Sequence, residues 1–210
     1  MKKLITIFPA SILLTLSTIS PLAEEQIFVL DDHCLAYKAQ KTVFFFFDEV
    51  EVIGKTCEVV AKVHWKDFGE QGQLEVYAPV TSFESGNSFR DRDISEILKA
   101  KLTPNIRFSS NWLSRKVLLN MLETQNTEVS GSLEIAGNTF LVKFPLNSTV
   151  IGERVLIESE LITSFSALKI ELPIVGPGGL LAETKDYLEL LVHLRSDKFA
   201  GIERVINQKK

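Results

Sequence analysis

Apolar and polar residues alternate along most of this chain with the period of two that marks half-buried β-strands. Thr56 to Lys66 is the longest clean run. Cys57, Val59, Ala61, Val63 and Trp65 face one way, and Thr56, Glu58, Val60, Lys62, His64 and Lys66 face the other. Asp67 to Gly72 reads as a turn, after which Leu74, Val76, Ala78 and Val80 continue an apolar face. Val155, Ile157 and Leu161 mark a later strand, with Glu158 and Glu160 on its opposite side. Leu188, Leu190, Val192 and Leu194 form the inward face of a late strand, against Tyr187, Glu189, His193 and Arg195. Phe28 to Leu30, Leu35 to Ala39 and the run from Val43 to Phe47 are shorter strand candidates.

Two segments break this rhythm in informative ways. Val129 to Phe144 reads as a hairpin turning at Gly137-Asn138, both tolerant of positive φ. That register pairs Ile135 with Phe140 and Leu133 with Val142, so the apolar pairs share one face. Ser85-Gly86-Asn87 is a turn followed by one short helix with Ile94, Ile97 and Leu98 on one side. Pro104-Asn105 ends that segment and leads into the strand Ile106-Arg107-Phe108. Pro173 to Gly179 is a loop, and Phe199, Ile202, Val205 and Ile206 give the tail a helical spacing that fits a short helix or a loose end. Eight or more strands with one internal helix define an all-β antiparallel fold. Periodicity alone suits a closed barrel and a sandwich equally.

The 210 residues suit one domain behind a leader. Met1 to Ala23 reads as a cleaved secretory signal peptide: Lys2 and Lys3, an apolar run from Leu4 to Leu16, then small and polar residues. Residues 24–210 are then a single domain outside the cytoplasm. A net charge of -4 with no basic run argues against a nucleic-acid partner. Cys34 and Cys57 are the two cysteines. They fall in neighbouring strand candidates, and an oxidising compartment permits a disulfide between them. The alternative is two buried free thiols.

Little in the chain points to catalysis. His33, His64 and His193 are scattered, and His64 and His193 fall on polar faces, where a surface imidazole is expected. No metal-ligand spacing, phosphate loop or nucleophile–base order is present. The inward apolar face is the better site candidate. Its members are Val59, Val63, Trp65, Leu74, Val76, Phe108, Leu133, Ile135, Phe140, Val142, Leu188, Leu190 and Val192. In a small barrel such residues either fill the interior or line a space for one ligand, and taken alone they favour filling.

The stretch Ser82 to Ser110 contains S-G-N-x-x-R-D, a short helix and then P-x-I-x-F-S. Together with Ala36-Tyr37-Lys38-Ala39-Gln40-Lys41-Thr42-Val43 and Ser130-Gly131-Ser132-Leu133-Glu134-Ile135-Ala136-Gly137, it resembles the YceI-like family. The resemblance implies a lipocalin-like barrel in the periplasm with an elongated apolar tunnel. It implies an isoprenoid-type lipid or quinone as partner and no cofactor. Gly86, Asn87, Arg90 and Asp91 come over as a structural motif, with Asp91 expected to cap the helix. The run Phe44 to Phe47 puts two rings on each face, which suits either ordinary core burial under a loop or an exposed pair serving a homodimer or transient membrane contact. A filled barrel acting as an envelope stress or interaction protein is the alternative function.

Overall fold

Ten strands lie side by side in one curled sheet in the computed structural model, which describes residues 26–44 and 48–206. The leader read at residues 1–23 and the phenylalanines at 45–47 lie outside the described residues. The strands are β1 (Cys34–Val43), β2 (Asp48–Thr56), β3 (Val60–Lys66), β4 (Gln71–Pro79), β5 (Asn105–Ser110), β6 (Leu113–Ser114), β7 (Thr127–Ile135), β8 (Asn138–Ile151), β9 (Arg154–Thr163), β10 (Ala182–Arg195) and β11 (Phe199–Ala200). Their lateral order is β11-β3-β4-β5-β7-β8-β9-β10-β1-β2, and the short β6 adds to β4. Every pairing is antiparallel except that of β11 with β3.

The sheet curls without laddering shut. Among the described residues no ladder joins β2 to β3 or β11. Thr56 to Lys66 is therefore two strands with a break between them, where the alternation suggested one. The break has a local cause: the Thr56 hydroxyl accepts the Glu58 N–H at 3.1 Å, which diverts the backbone from the ladder. Thr56 is buried as a result, and Cys57 is exposed rather than inward-facing. Three contacts hold this seam. Cys34 is disulfide-bonded to Cys57, Thr56 Oγ1 lies 2.7 Å from Ser82 Oγ, and Lys55 exchanges backbone hydrogen bonds with Glu84.

The β7–β8 hairpin turns one residue earlier than the alternation predicts, which shifts the pairing register by two. Ile135 pairs with Asn138, Leu133 with Phe140 and Gly131 with Val142. The two turn residues are Ala136 and Gly137, with φ of 51° and 77°. Positive φ at both is what a right-twisted two-residue hairpin requires. A shift of two residues leaves every side chain on its predicted face, so the pattern of faces could not distinguish the registers.

Among the described residues three α-helices close the two ends of the curl, where periodicity indicated one internal helix and a tail that is either a short helix or a loose end. α1 (Ser88–Ile97) lies at the end where β4 leaves the sheet. It packs there with Val80, Ile135, Phe165, Ile170 and Leu188. α2 (Arg115–Met121) lies at the opposite end with α3 (Glu203–Ile206). Leu118, Met121, Phe199, Ile202 and Val205 are buried there. The tail is thus docked, and the Trp65 indole donates to the Gly201 carbonyl at 2.9 Å. α2 carries its own signals: Ser114 accepts from the Val117 N–H as an N-cap, and Leu118, Met121 and Leu122 have helical spacing.

The disulfide closes a loop of 23 residues across the seam. Replacing Cys34 and Cys57 together by Ala should lower the unfolding free energy by about 3 kcal/mol on the loop-entropy model. Urea denaturation of the two proteins measures it.

Candidate functional site

Inside the curl lies a cavity of about 150 Å³. Leu188, Leu190, Val192 and Leu194 all stand on its wall, so it follows β10 for about 20 Å at the usual rise per residue. The lining residues make it an elongated apolar bore beside β10. Its wall carries no charged residue among those described; Tyr37, Ser148 and Ser159 are its polar members.

The exposure pattern agrees with an open lumen. Leu74, Val76, Ile106, Phe108, Ile157, Leu190 and Val192 face inward yet are only half-buried. Inward residues of a filled barrel would be fully enclosed by neighbours.

Eight of the thirteen residues expected on the wall are there: Leu74, Val76, Phe108, Leu133, Ile135, Leu188, Leu190 and Val192. Val59, Val63, Trp65, Phe140 and Val142 are not. On β3 the reason is α2. Leu118, Val63 and Trp65 converge over Gly72, where an added Cβ would lie 2.6, 3.0 and 3.2 Å from them. Leu118 faces the bore, and Val63 and Trp65 stand behind it. On β8, Phe108 lies across Gly131, the partner of Val142. Phe140 and Val142 face inward and pack in the cores.

Much of the wall comes from outside the predicted strands. α1 contributes Ile94 and Ile97, and α2 contributes Leu118 and Met121. The tail adds Phe199 and Ile202, and the 164–170 turn adds Phe165 and Ile170. That turn is held by Asp186, which accepts the Ser166 N–H at 2.9 Å. The Ser166 bonds also keep the Asp186 carboxyl below its ordinary pKa. The helical spacing of Leu118, Met121 and Leu122 was the signal available for α2. Tyr37 is laid over Gly54, its cross-strand partner, whose missing Cβ would lie 2.2 Å from the ring.

The Gly86, Asn87, Arg90 and Asp91 motif builds the approach to α1. Gly86 has φ of 78°. Asn87 is the cap, and its side-chain oxygen accepts from the Phe89 and Arg90 N–H groups. Asp91, expected to be the cap, instead accepts from the Ser85 N–H at 3.0 Å and from the Ser85 hydroxyl. Arg90 donates Nε to Ser85 Oγ at 2.7 Å and a further N–H to the Ser85 carbonyl. All three side chains are used in closing the turn.

The titratable groups lie off the bore. His64 meets Glu75 at 3.0 Å on the outer surface, and with Arg107 it holds that carboxyl below its usual range. His193 faces outward as expected but is buried, because Phe28 of the N-terminal segment stacks on its ring at 5.0 Å. Its Nδ1 is 3.3 Å from Glu158 without hydrogen-bond alignment. His33 accepts the Arg195 N–H at Nδ1. Burial, then the charge of Lys198, pushes its pKa down to about 4 against a smaller opposing pull from Asp197. Among the described residues the one grouping with metal-ligand geometry is Asp32, Cys34 and Cys57. The disulfide removes both sulfurs from it.

Comparison with known proteins gives a consistent family and fold. A family model described as a YceI-like domain matches residues 36–177. No curated protein matches in sequence. The crystal structure of Burkholderia cenocepacia BcnA is similar with a TM-score of 0.57 at 18% identity, covering 77% of this chain and 95% of that one. A polyisoprenoid binding domain from Saccharophagus degradans, implicated in plant cell wall breakdown, is similar with a TM-score of 0.56 at 11% identity, covering 77% and 92%.

Two outcomes follow from this geometry. Asn87→Ala leaves two N–H groups of α1 without their acceptor and should cost about 1 kcal/mol, with faster amide exchange confined to α1. His33 is neutral in the fold at pH values where the unfolded chain protonates it. Stability is therefore fully present above about 6.5 and falls as pH drops toward about 4. Urea midpoints between pH 7 and 4.5 should show this slope, and His33→Gln should flatten it.

Proposed function

Because the chain belongs to the YceI-like domain family, we propose that it sequesters or carries one long apolar molecule, an isoprenoid-type lipid or quinone, inside the bore. The carrying observation is the apolar wall from Leu188 to Leu194, on which Leu190 and Val192, with Leu74, Val76, Phe108 and Ile157 opposite and beside them, face inward yet stay half-buried. Affinity comes from removing alkenyl surface from water, at about 25 cal/mol per Å². The described wall is hydrocarbon apart from Tyr37, Ser148 and Ser159, which supports binding without covalent chemistry as the role. The similarity to a polyisoprenoid binding domain supports this ligand class.

The leader read at residues 1–23 and the Cys34–Cys57 disulfide support a periplasmic or secreted location. The α1 end is the entrance. α1 buries none of its residues completely, although Ile94 and Ile97 stand on the bore wall. α2 buries Leu118 and Met121 and seals the other end. Transient membrane contact uses the same entrance side. There Leu172, Ile174, Leu180 and Leu181 are exposed, and Phe44 bonds back to the Leu181 carbonyl.

Mass spectrometry of an organic extract of the protein purified from a bacterial periplasm tests the reading, with a native-mass spectrum alongside. A stoichiometric polyprenyl or quinone mass is expected. Leu190→Trp, which fills the bore at mid-length, should reduce the yield severalfold while the far-ultraviolet spectrum is unchanged. A protein that stays empty after incubation with such lipids would instead be a filled-barrel interaction protein of the envelope.

A further inference from the structure

Ser148 on β8 and Ser159 on β9 interrupt an otherwise hydrocarbon wall. They are 6% and 7% exposed, and neither hydroxyl has a hydrogen-bond partner. A buried hydroxyl without a partner is costly, and native interiors rarely keep one without a use. Both are at inward positions of strands where the neighbouring inward residues are apolar: Phe144 and Leu146 on β8, and Ile157 on β9.

Register fixes where they stand along the bore. Ser148 pairs with Ile157, which in turn pairs with Leu194. Ser159 pairs with Val192. The two serines therefore lie in the half of the bore sealed by α2 and the tail, away from α1. They are diagonal neighbours on adjacent antiparallel strands, a relation that sets Cβ atoms about 7 Å apart. One oxygen lodged between the two hydroxyls can reach both at about 2.8 Å.

Resting on the reading that the bore holds an apolar molecule, we infer that Ser148 and Ser159 form a polar subsite for an uncharged hydroxyl or carbonyl oxygen of that molecule. The oxygenated end lies deep, at the α2 end, and the hydrocarbon runs back toward α1. Serine hydroxyls can donate to a carbonyl and both donate to and accept from an alcohol. The oxygen must be uncharged, because the described wall offers no cation and a phosphate or carboxylate there would be an unpaired buried charge.

Three probes separate the possibilities on the delipidated full chain by calorimetric titration: a C20 prenyl alcohol, the matching hydrocarbon without the hydroxyl, and the matching diphosphate. The alcohol should bind about tenfold tighter than the hydrocarbon, as two net hydrogen bonds allow, and the diphosphate weakest. In the Ser148→Ala, Ser159→Ala double variant that preference should vanish while hydrocarbon affinity stays within about twofold. Retained hydrocarbon binding also shows that the variant is folded. Equal binding of alcohol and hydrocarbon by the unaltered protein, a preference that survives the double substitution, or diphosphate binding as tight as the alcohol's overturns the subsite and leaves the apolar bore intact. Failure of all three probes to bind overturns the carrier reading and the subsite together.

Discussion

A hydrogen-bonded sheet that has curled cannot shrink to fill its own lumen. Side chains in a helical core slide and lean until voids close, because lost dispersion contacts make voids unfavourable. Here Ile157 on β9, Leu188, Leu190 and Val192 on β10, and Leu35 and Tyr37 on β1 are pinned between ladder neighbours on both sides. The wall keeps its radius, and only the side-chain volumes decide how much space remains. Leu190, Val192, Ile157 and Leu74 leave a gap between them. The ends are different, because helices and tail are free to pack down, and there the interior is closed by Leu118, Met121, Phe199 and Ile202 at one end. A rigid wall with soft ends is the physical basis of the site.

What could be read from the sequence follows the same division. Strand faces were legible, because period two is a local property: eight wall residues from β4, β5, β7 and β10 fall where alternation put them. The family resemblance drawn from the Ser82–Ser110 stretch matches the YceI-like domain found over residues 36–177, and the lipocalin-like all-β class matches the curled sheet. Register was not legible. The β7–β8 turn at Ala136-Gly137 asks a non-glycine residue to adopt positive φ, and the neighbouring Gly137-Asn138 pair is the commoner signature for such a turn.

Long-range cover was the other hidden quantity. His193 lies on the outward face that alternation gave it, yet Phe28 comes from 165 positions earlier in the chain to cover it. Val63 and Trp65 point inward as read, but α2 and the tail stand between them and the bore. The break at Cys57 depended on a single hydroxyl, that of Thr56, choosing the Glu58 N–H. Each departure comes from a contact between distant segments or from one side chain competing with the backbone. Neither leaves a trace in hydrophobic periodicity.

The shallow seating of α1 has a kinetic meaning. A helix with no fully buried residue, held through its Asn87 cap and the Ser85–Arg90–Asp91 turn, can open without disturbing the sheet. On the carrier reading proposed above, the exchange rate of a guest would follow the opening frequency of this ten-residue helix, and affinity the length of wall the guest covers. The two quantities are written in different segments of the chain. On that reading, opening of α1 would scale entry and exit together and leave their ratio, the affinity, to the wall contacts.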